Sequence, residues 1–187
     1  ARTLNRIALQ QQSQGRLAEA ESSHQRALQI HEAVDGPDHS VVASTLNSLG
    51  GIFARQGRFG EAQPLFERAI SIWEKAYGPE HASVATGLNN LGQVQFRQGR
   101  YAEAEPLYPR ALAIREKAFG IEHPSLVMSL SNLSTLYFRQ GEFAQAETFA
   151  RRLLTLREKM LGPNHNDVAK SLYELASMHR AQGRLGA

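Results

Sequence analysis

Glycines mark this chain at a fixed interval. One series falls at Gly36, Gly78, Gly120 and Gly162, and a second at Gly15, Gly57, Gly99, Gly141 and Gly183; both step by 42 residues. A period of that length belongs to helical repeat arrays. In such an array each copy contacts its neighbours rather than one central core, and stability comes from stacking.

Apolar spacing between the glycines is helical. Leu46, Leu49, Gly50 and Phe53 stand at i, i+3, i+4 and i+7, one face of a 3.6-residue period. The spacing predicts first helices over Thr3–Gln14, Ala43–Gln56, Leu88–Gln98, Leu126–Gln140 and Val168–Gln182. It predicts second helices over Leu17–Val34, Phe59–Ala76, Ala102–Phe119 and Phe143–Leu161. Gly36-Pro37 ends the first of these second helices, since glycine suits the left-handed position after a helix and proline cannot continue one. The organisation expected is one array over 1–187, with copies at 1–35, 36–77, 78–119, 120–161 and a partial 162–187, as a fragment of a larger protein.

Small residues recur at the positions that decide packing distance. Gly50, Gly92, Ser134 and Ala176 are equivalent on the first helix, and Ala62, Ala104 and Ala146 on the second. They let helix axes approach to about 8 Å. Pro109 has no counterpart in other copies and would leave the Glu105 carbonyl unbonded, so a kink or widened turn is expected between Glu105 and Pro109.

Leu46-x-x-Leu49-Gly50-x-x-Phe53, followed by Ala62, Phe66 and Ala69, resembles the tetratricopeptide repeat. The longer period, with LNNLG at 88–92, YAEAEPLY at 101–108, RALAIREKAFG at 110–120 and GPEH at 78–81, is similar to the repeats of kinesin light chain and related bacterial proteins. The resemblance implies an all-α, right-handed solenoid of antiparallel helix pairs acting as a protein-interaction module. Copies differ in detail: Gln11, Gln95 and His179 replace an aromatic of the first helix, Ala150 one of the second, and Leu153 a small alanine.

Chemistry of other kinds finds little support. His39, His81, His123 and His165 occur once per copy, too far apart in such an array to share a metal ion, and their place three residues after the turn glycine, before an apolar run, fits a helix start. Pro124 suits a first helical position. No metalloprotease, phosphate-loop, nucleophile-elbow or dinucleotide motif occurs. Asp38-His39-Ser40 is consecutive and lacks triad geometry, and the Asn132 sequon lies within a helix. No enzyme activity and no cofactor are expected. The chain has no cysteine, so disulfides and thiolate metal sites are excluded. A formal charge of +3 is too small to indicate nucleic acid. With no long apolar run, no membrane partner is expected, and the expected location is cytoplasmic.

The first helices carry the candidate site. On the arc opposite the apolar stripe of the second copy stand Ser44, Asn47, Gly51, Ala54 and Arg55. Their equivalents are Thr86, Asn89, Gln93, Phe96 and Arg97, then Met128, Ser131, Thr135, Phe138 and Arg139, and finally Lys170, Tyr173, Ser177 and Arg180. The resemblance makes this arc the floor of a concave groove, where constant stacking would line up arginines, amides and exposed aromatics. Asparagine can donate to and accept from a peptide backbone. Arginine pairs with carboxylates. Phenylalanine supplies an apolar anchor. Asn47, Arg55, Asn89, Gln93, Phe96, Arg97, Ser131, Phe138 and Arg139 are therefore the expected contacts of an extended acidic and aromatic peptide. The structural alternative is that the arginines only complement helix dipoles.

Trp73 shares its position with His31, Arg115 and Arg157, which places it at the surface, and the Arg115-Glu116-Lys117 face reads as solvated. The rival functions are self-association through Leu172, Leu175, Ala176 and Met178, and service as a scaffold segment of a multidomain regulator.

Overall fold

The computed structural model describes residues 2–183. Every regular element among them is a helix: α1 (Arg2–Ser13), α2 (Leu17–Asp35), α3 (Ser40–Arg55), α4 (Phe59–Tyr77), α5 (Ala82–Arg97), α6 (Tyr101–Ala104), α7 (Leu107–Phe119), α8 (Leu126–Gln140), α9 (Phe143–Leu161) and α10 (Asn166–Ala181). They form two compact units that divide between Gln98 and Gly99, with α1–α5 in the first and α6–α10 in the second.

Two kinds of turn join the helices. After the first helix of a copy, the glycine is left-handed and closes the helix end. At Gly57 (φ +77°) the Arg58 amide donates to the Phe53 carbonyl at 2.9 Å, and the Gly57 amide donates to Ala54 at 3.2 Å. Those bonds satisfy carbonyls the helix leaves open. Arg16 to Gln11 and Glu142 to Tyr137 repeat the closure.

After the second helix the geometry departs from the sequence expectation. Gly78 has φ 87° and ψ 161°, not the left-handed helical conformation. That region is essentially restricted to glycine. The chain therefore leaves the helix extended and arrives at His81, whose Nδ1 accepts the Ser83 amide at 3.2 Å. His39 caps Val41 in the same way, His123 caps Ser125 and His165 caps Asp167. The recurring histidines thus stand in for the usual serine or aspartate cap. Because of these caps, α3, α5 and α10 begin earlier than apolar spacing implies, α5 at Ala82 rather than Leu88. Pro124 lies in the turn before α8, not at its first helical position. The amides of Leu126 and Val127 donate to His123 and Pro124, which makes the entry a tighter i→i+3 turn.

Near Pro109 the helix is interrupted, but without the kink or widened turn expected there. α6 stops at Ala104 and α7 begins at Leu107. The Glu105 amide still donates to Tyr101 at 3.0 Å. Beyond it, Pro106 has no N–H for the Ala102 carbonyl and Pro109 none for that of Glu105. Glu105 and Pro106 keep right-handed helical dihedrals, so the chain holds its course through the break. Pro64 alone leaves α4 continuous.

Packing within each unit follows the predicted stripes. Leu46, Leu49, Phe53, Phe66 and Ile72 are buried in the first, and Tyr108, Leu130, Leu133, Leu136 and Leu153 in the second. A side chain of that size contributes about 1.5–3 kcal/mol on burial. Gly50 is required by close approach: a Cβ there would lie 2.9 Å from the Phe66 ring. Where Ala150 replaces that aromatic, Ser134 replaces the glycine, and its hydroxyl donates to the Ala146 carbonyl at 3.2 Å. His24 occupies the aromatic position of the first copy, buried, with Nδ1 3.1 Å from Asn5 Oδ1.

Trp73 is not at the surface. It is 4% exposed, and His31, Arg115 and Arg157 are buried with it, which also removes Arg115 from the solvated face expected of it. The position looks onto the first helix of the next copy. Trp73 packs over Gly87, where an added Cβ would lie 3.3 Å from its ring and 2.6 Å from Ile70. At the equivalent places the arginines meet serines, Ser129 and Ser171.

Candidate functional site

In the first unit the candidate residues lie on α3 and α5. Arg55 and Arg97 are the last residues of those helices, both exposed, where the helix dipole favours a cation. The Arg97 guanidinium also sits 5.2 Å from the Phe59 ring centroid. Gln93 is exposed one turn before Arg97, and Phe96 is half-buried beside it. Asn47 is half-buried, and its Oδ1 accepts Asn90 Nδ2 at 2.9 Å.

Asn89 departs from its expected exposure. It is 1% exposed, although the helical arc sets it among the open residues. That arc describes a helix alone and takes no account of what packs along its flanks. The residue that reaches α3 is Asn90, one position on, which the sequence reading did not single out.

In the second unit α8 presents Ser131, half-buried, with Phe138 and Arg139 in its last turn. Phe138 is half-buried, its ring held edge-on against Phe143 at 5.6 Å. Arg139 is exposed. Between α8 and α10 lies a cleft of about 170 Å³, lined by Ser134, Thr135, Phe138, Tyr173, Glu174, Ser177 and Met178. Of these, Glu174 carried no signal in the apolar period. Leu172 is 50% exposed and Ala176 is open, whereas Leu175 and Met178 are covered.

Several arginines are charge-paired, and the candidate arginines are not among them. Arg58 lies between Glu21 (2.8 Å) and Glu61 (2.6 Å) and over the Phe53 ring, and those carboxylates hold its guanidinium well above its ordinary value. Arg68 pairs with Glu32, Arg151 with Glu147 and Arg152 with Glu116. Arg55, Arg97 and Arg139 make no ion pair among the described residues. Nor, among those residues, do three histidine, aspartate or glutamate side chains gather as a metal site would need. No helix of the described residues is long and apolar enough to cross a membrane.

Helix pairs of fixed length, glycine closures and small-on-large contacts define a repeat protein of the all-α class. The chain belongs to the tetratricopeptide repeat family, whose model matches residues 1–75, 41–117 and 83–159. Its fold class is the tetratricopeptide-repeat solenoid of antiparallel helix pairs, and it is a protein–protein interaction module of a family of non-catalytic scaffolds. Among solved structures it is similar to BtubC (BKLC) from P. vanneervenii, with a TM-score of 0.85 and 23% identity over 97% of this chain and 72% of that one. It is also similar to the nearly identical repeats of a putative kinesin light chain from Podosopora anserina, with a TM-score of 0.84 and 24% identity over 98% and 87%. The apo form of RapI matches with a TM-score of 0.81 and 15% identity over 97% and 63%. No curated protein matches in sequence.

Proposed function

We propose that the first-helix faces of this module bind an extended acidic segment of a partner protein that also carries an aromatic residue. The observation behind this reading is the set of unpaired arginines. Arg55, Arg97 and Arg139 stand at equivalent helix ends, exposed and without carboxylate partners among the described residues, unlike Arg58, Arg68 and Arg152, which are matched to glutamates. An incoming carboxylate would complete them through charge-assisted bonds. Phe96 and Phe138, each preceding one of these arginines, offer apolar surface for the segment's aromatic residue. Gln93 and Asn47 Nδ2 supply donors for its backbone in the first unit, and Ser131 a hydroxyl in the second. Asn89, being covered, contributes through packing and not through contact.

Ordering a short flexible segment offsets part of the contact energy, so affinity should be micromolar. Charge reversal tests this: Arg55→Glu with Arg97→Glu in the first unit, and Arg139→Glu in the second, titrated with an acidic, phenylalanine-containing peptide. Weakening of tenfold or more with helical content intact supports the reading, and unchanged affinity removes the arginines from it.

A second reading is self-association through α10. Leu172 is half exposed, whereas Leu46, Leu88 and Leu130 at the same position are buried. Sedimentation over a range of concentrations separates the two, since a monomer at all concentrations sinks the second.

A further inference from the structure

The cleft between α8 and α10 has a chemistry opposite to that of the arginine-bearing helix ends. Its walls are aromatic: Phe138 is fixed against Phe143, and Tyr173 is 69% exposed. Its polar atoms are acceptors. The Thr135 hydroxyl donates to the Ser131 carbonyl at 2.9 Å, and the Ser177 hydroxyl donates to Tyr173 at 2.8 Å. Each hydrogen is thereby committed to its own helix, and each oxygen keeps a lone pair for a donor. Glu174 is half-buried and makes no ion pair among the described residues, although Lys170 stands one turn before it. An acidic residue, two residues with acceptor hydroxyls and two aromatic residues therefore line one small cleft.

No equivalent exists in the first unit. At the corresponding positions α3 has Gly50, Gly51 and Ala54, and α5 has Asn89, Asn90, Gln93 and Val94. Those residues include neither an aromatic nor a carboxylate, and there Asn90 bonds to Asn47 at 2.9 Å. The replacements in α8 and α10 turn the place of an internal amide contact into an open acceptor site.

We infer that this cleft is a second recognition site, which takes an arginine side chain of a partner protein. A guanidinium is planar and can lie against the Phe138 and Tyr173 rings while its edge donates to Glu174, Thr135 and Ser177. A lysine ammonium would satisfy the carboxylate but not the ring faces as fully. An acidic side chain would meet Glu174 with no compensating cation in the lining. The site does not depend on the acidic-segment reading, which concerns other residues apart from Phe138.

The test uses the 187-residue chain and two probes, acetyl-Gly-Arg-Gly-amide and the same peptide with neutral citrulline in place of arginine, followed by NMR. The arginine peptide should bind with millimolar affinity and shift the Phe138 and Tyr173 ring signals. The citrulline peptide should bind about tenfold more weakly, the usual worth of a charge-assisted contact. Glu174→Gln should reduce the arginine peptide to the citrulline level. Tyr173→Ser, which installs the residue found at position 131, should weaken both peptides with helical content unchanged. Equal binding of the two peptides, or arginine binding that survives Glu174→Gln, would overturn the assignment.

Discussion

The Arg115 Nη1 donates to the Ser129 hydroxyl at 2.8 Å across the boundary between α7 and α8, both groups being buried. One copy later Arg157 does the same to Ser171 at 2.6 Å. One copy earlier Trp73 packs over Gly87. Joints between copies are thus keyed, with serine opposite arginine and glycine opposite tryptophan.

Removing an acceptor from a buried guanidinium exposes the cost of its desolvation. Burial already disfavours the charged form of Arg115. Ser129→Ala should lower stability by about 1–3 kcal/mol. Urea unfolding of the second unit's signals measures it, and a loss below the error of the midpoint would mean that the Ser129 contact carries no weight.

Gly87→Ser should destabilise the first unit by about 1–3 kcal/mol, because its Cβ would lie 2.6 Å from Ile70 and 3.3 Å from Trp73. Combining it with Trp73→Arg rebuilds the pair present at 115 and 129. The double variant should lose less than the two single losses added together, the sign of direct coupling. Strict additivity would deny that the positions are matched.

His24 gives the first unit an acid sensitivity. Burial lowers its pKa from the ordinary 6.5, so between the two values the unfolded chain binds more protons than the folded one. Its contribution is fully present above about pH 6.5 and is lost as pH falls through that region. His24→Phe, the residue found at position 66, should flatten the decline of thermal midpoint below pH 6.5 relative to the parent. Parallel curves would assign the decline elsewhere.

Two glycine replacements should move stability in opposite directions. Gly162 has φ 80° and ψ 158°, so Gly162→Ala should cost about 1–3 kcal/mol in strain. Gly51 lies inside α3 with open space where a Cβ would go, and Gly51→Ala should gain about 0.5–1 kcal/mol. Thermal unfolding of the two variants side by side checks both signs.

The period made the helices, the glycine turns and the histidine-led helix starts legible, because each depends on local chemistry repeated at a constant step. The break at Glu105–Pro106 was equally readable, since a proline removes a donor in any context. Trp73 defies its period because its equivalents are polar, and polarity at a repeat position does not imply exposure. The contrary signal lay on the partner helix, where Gly87 faces Trp73 while Ser129 and Ser171 face the arginines. Asn89 misled for a related reason: a helical arc gives a direction but not what packs there. The cleft beside Glu174 needed two helices at once, so no single period could reveal it.

The peptide-binding reading rests on contact at the arginine-bearing helix ends, and residue-resolved NMR of the chain titrated with an acidic, phenylalanine-containing peptide tests that contact directly. The account expects saturable shifts at Asn47, Gln93, Phe96 and Arg97 in the first unit and at Ser131, Phe138 and Arg139 in the second, with the capping turns at His39, His81, His123 and His165 unmoved. Shifts confined to the second helices of the copies, or no saturable shift at all, would contradict it.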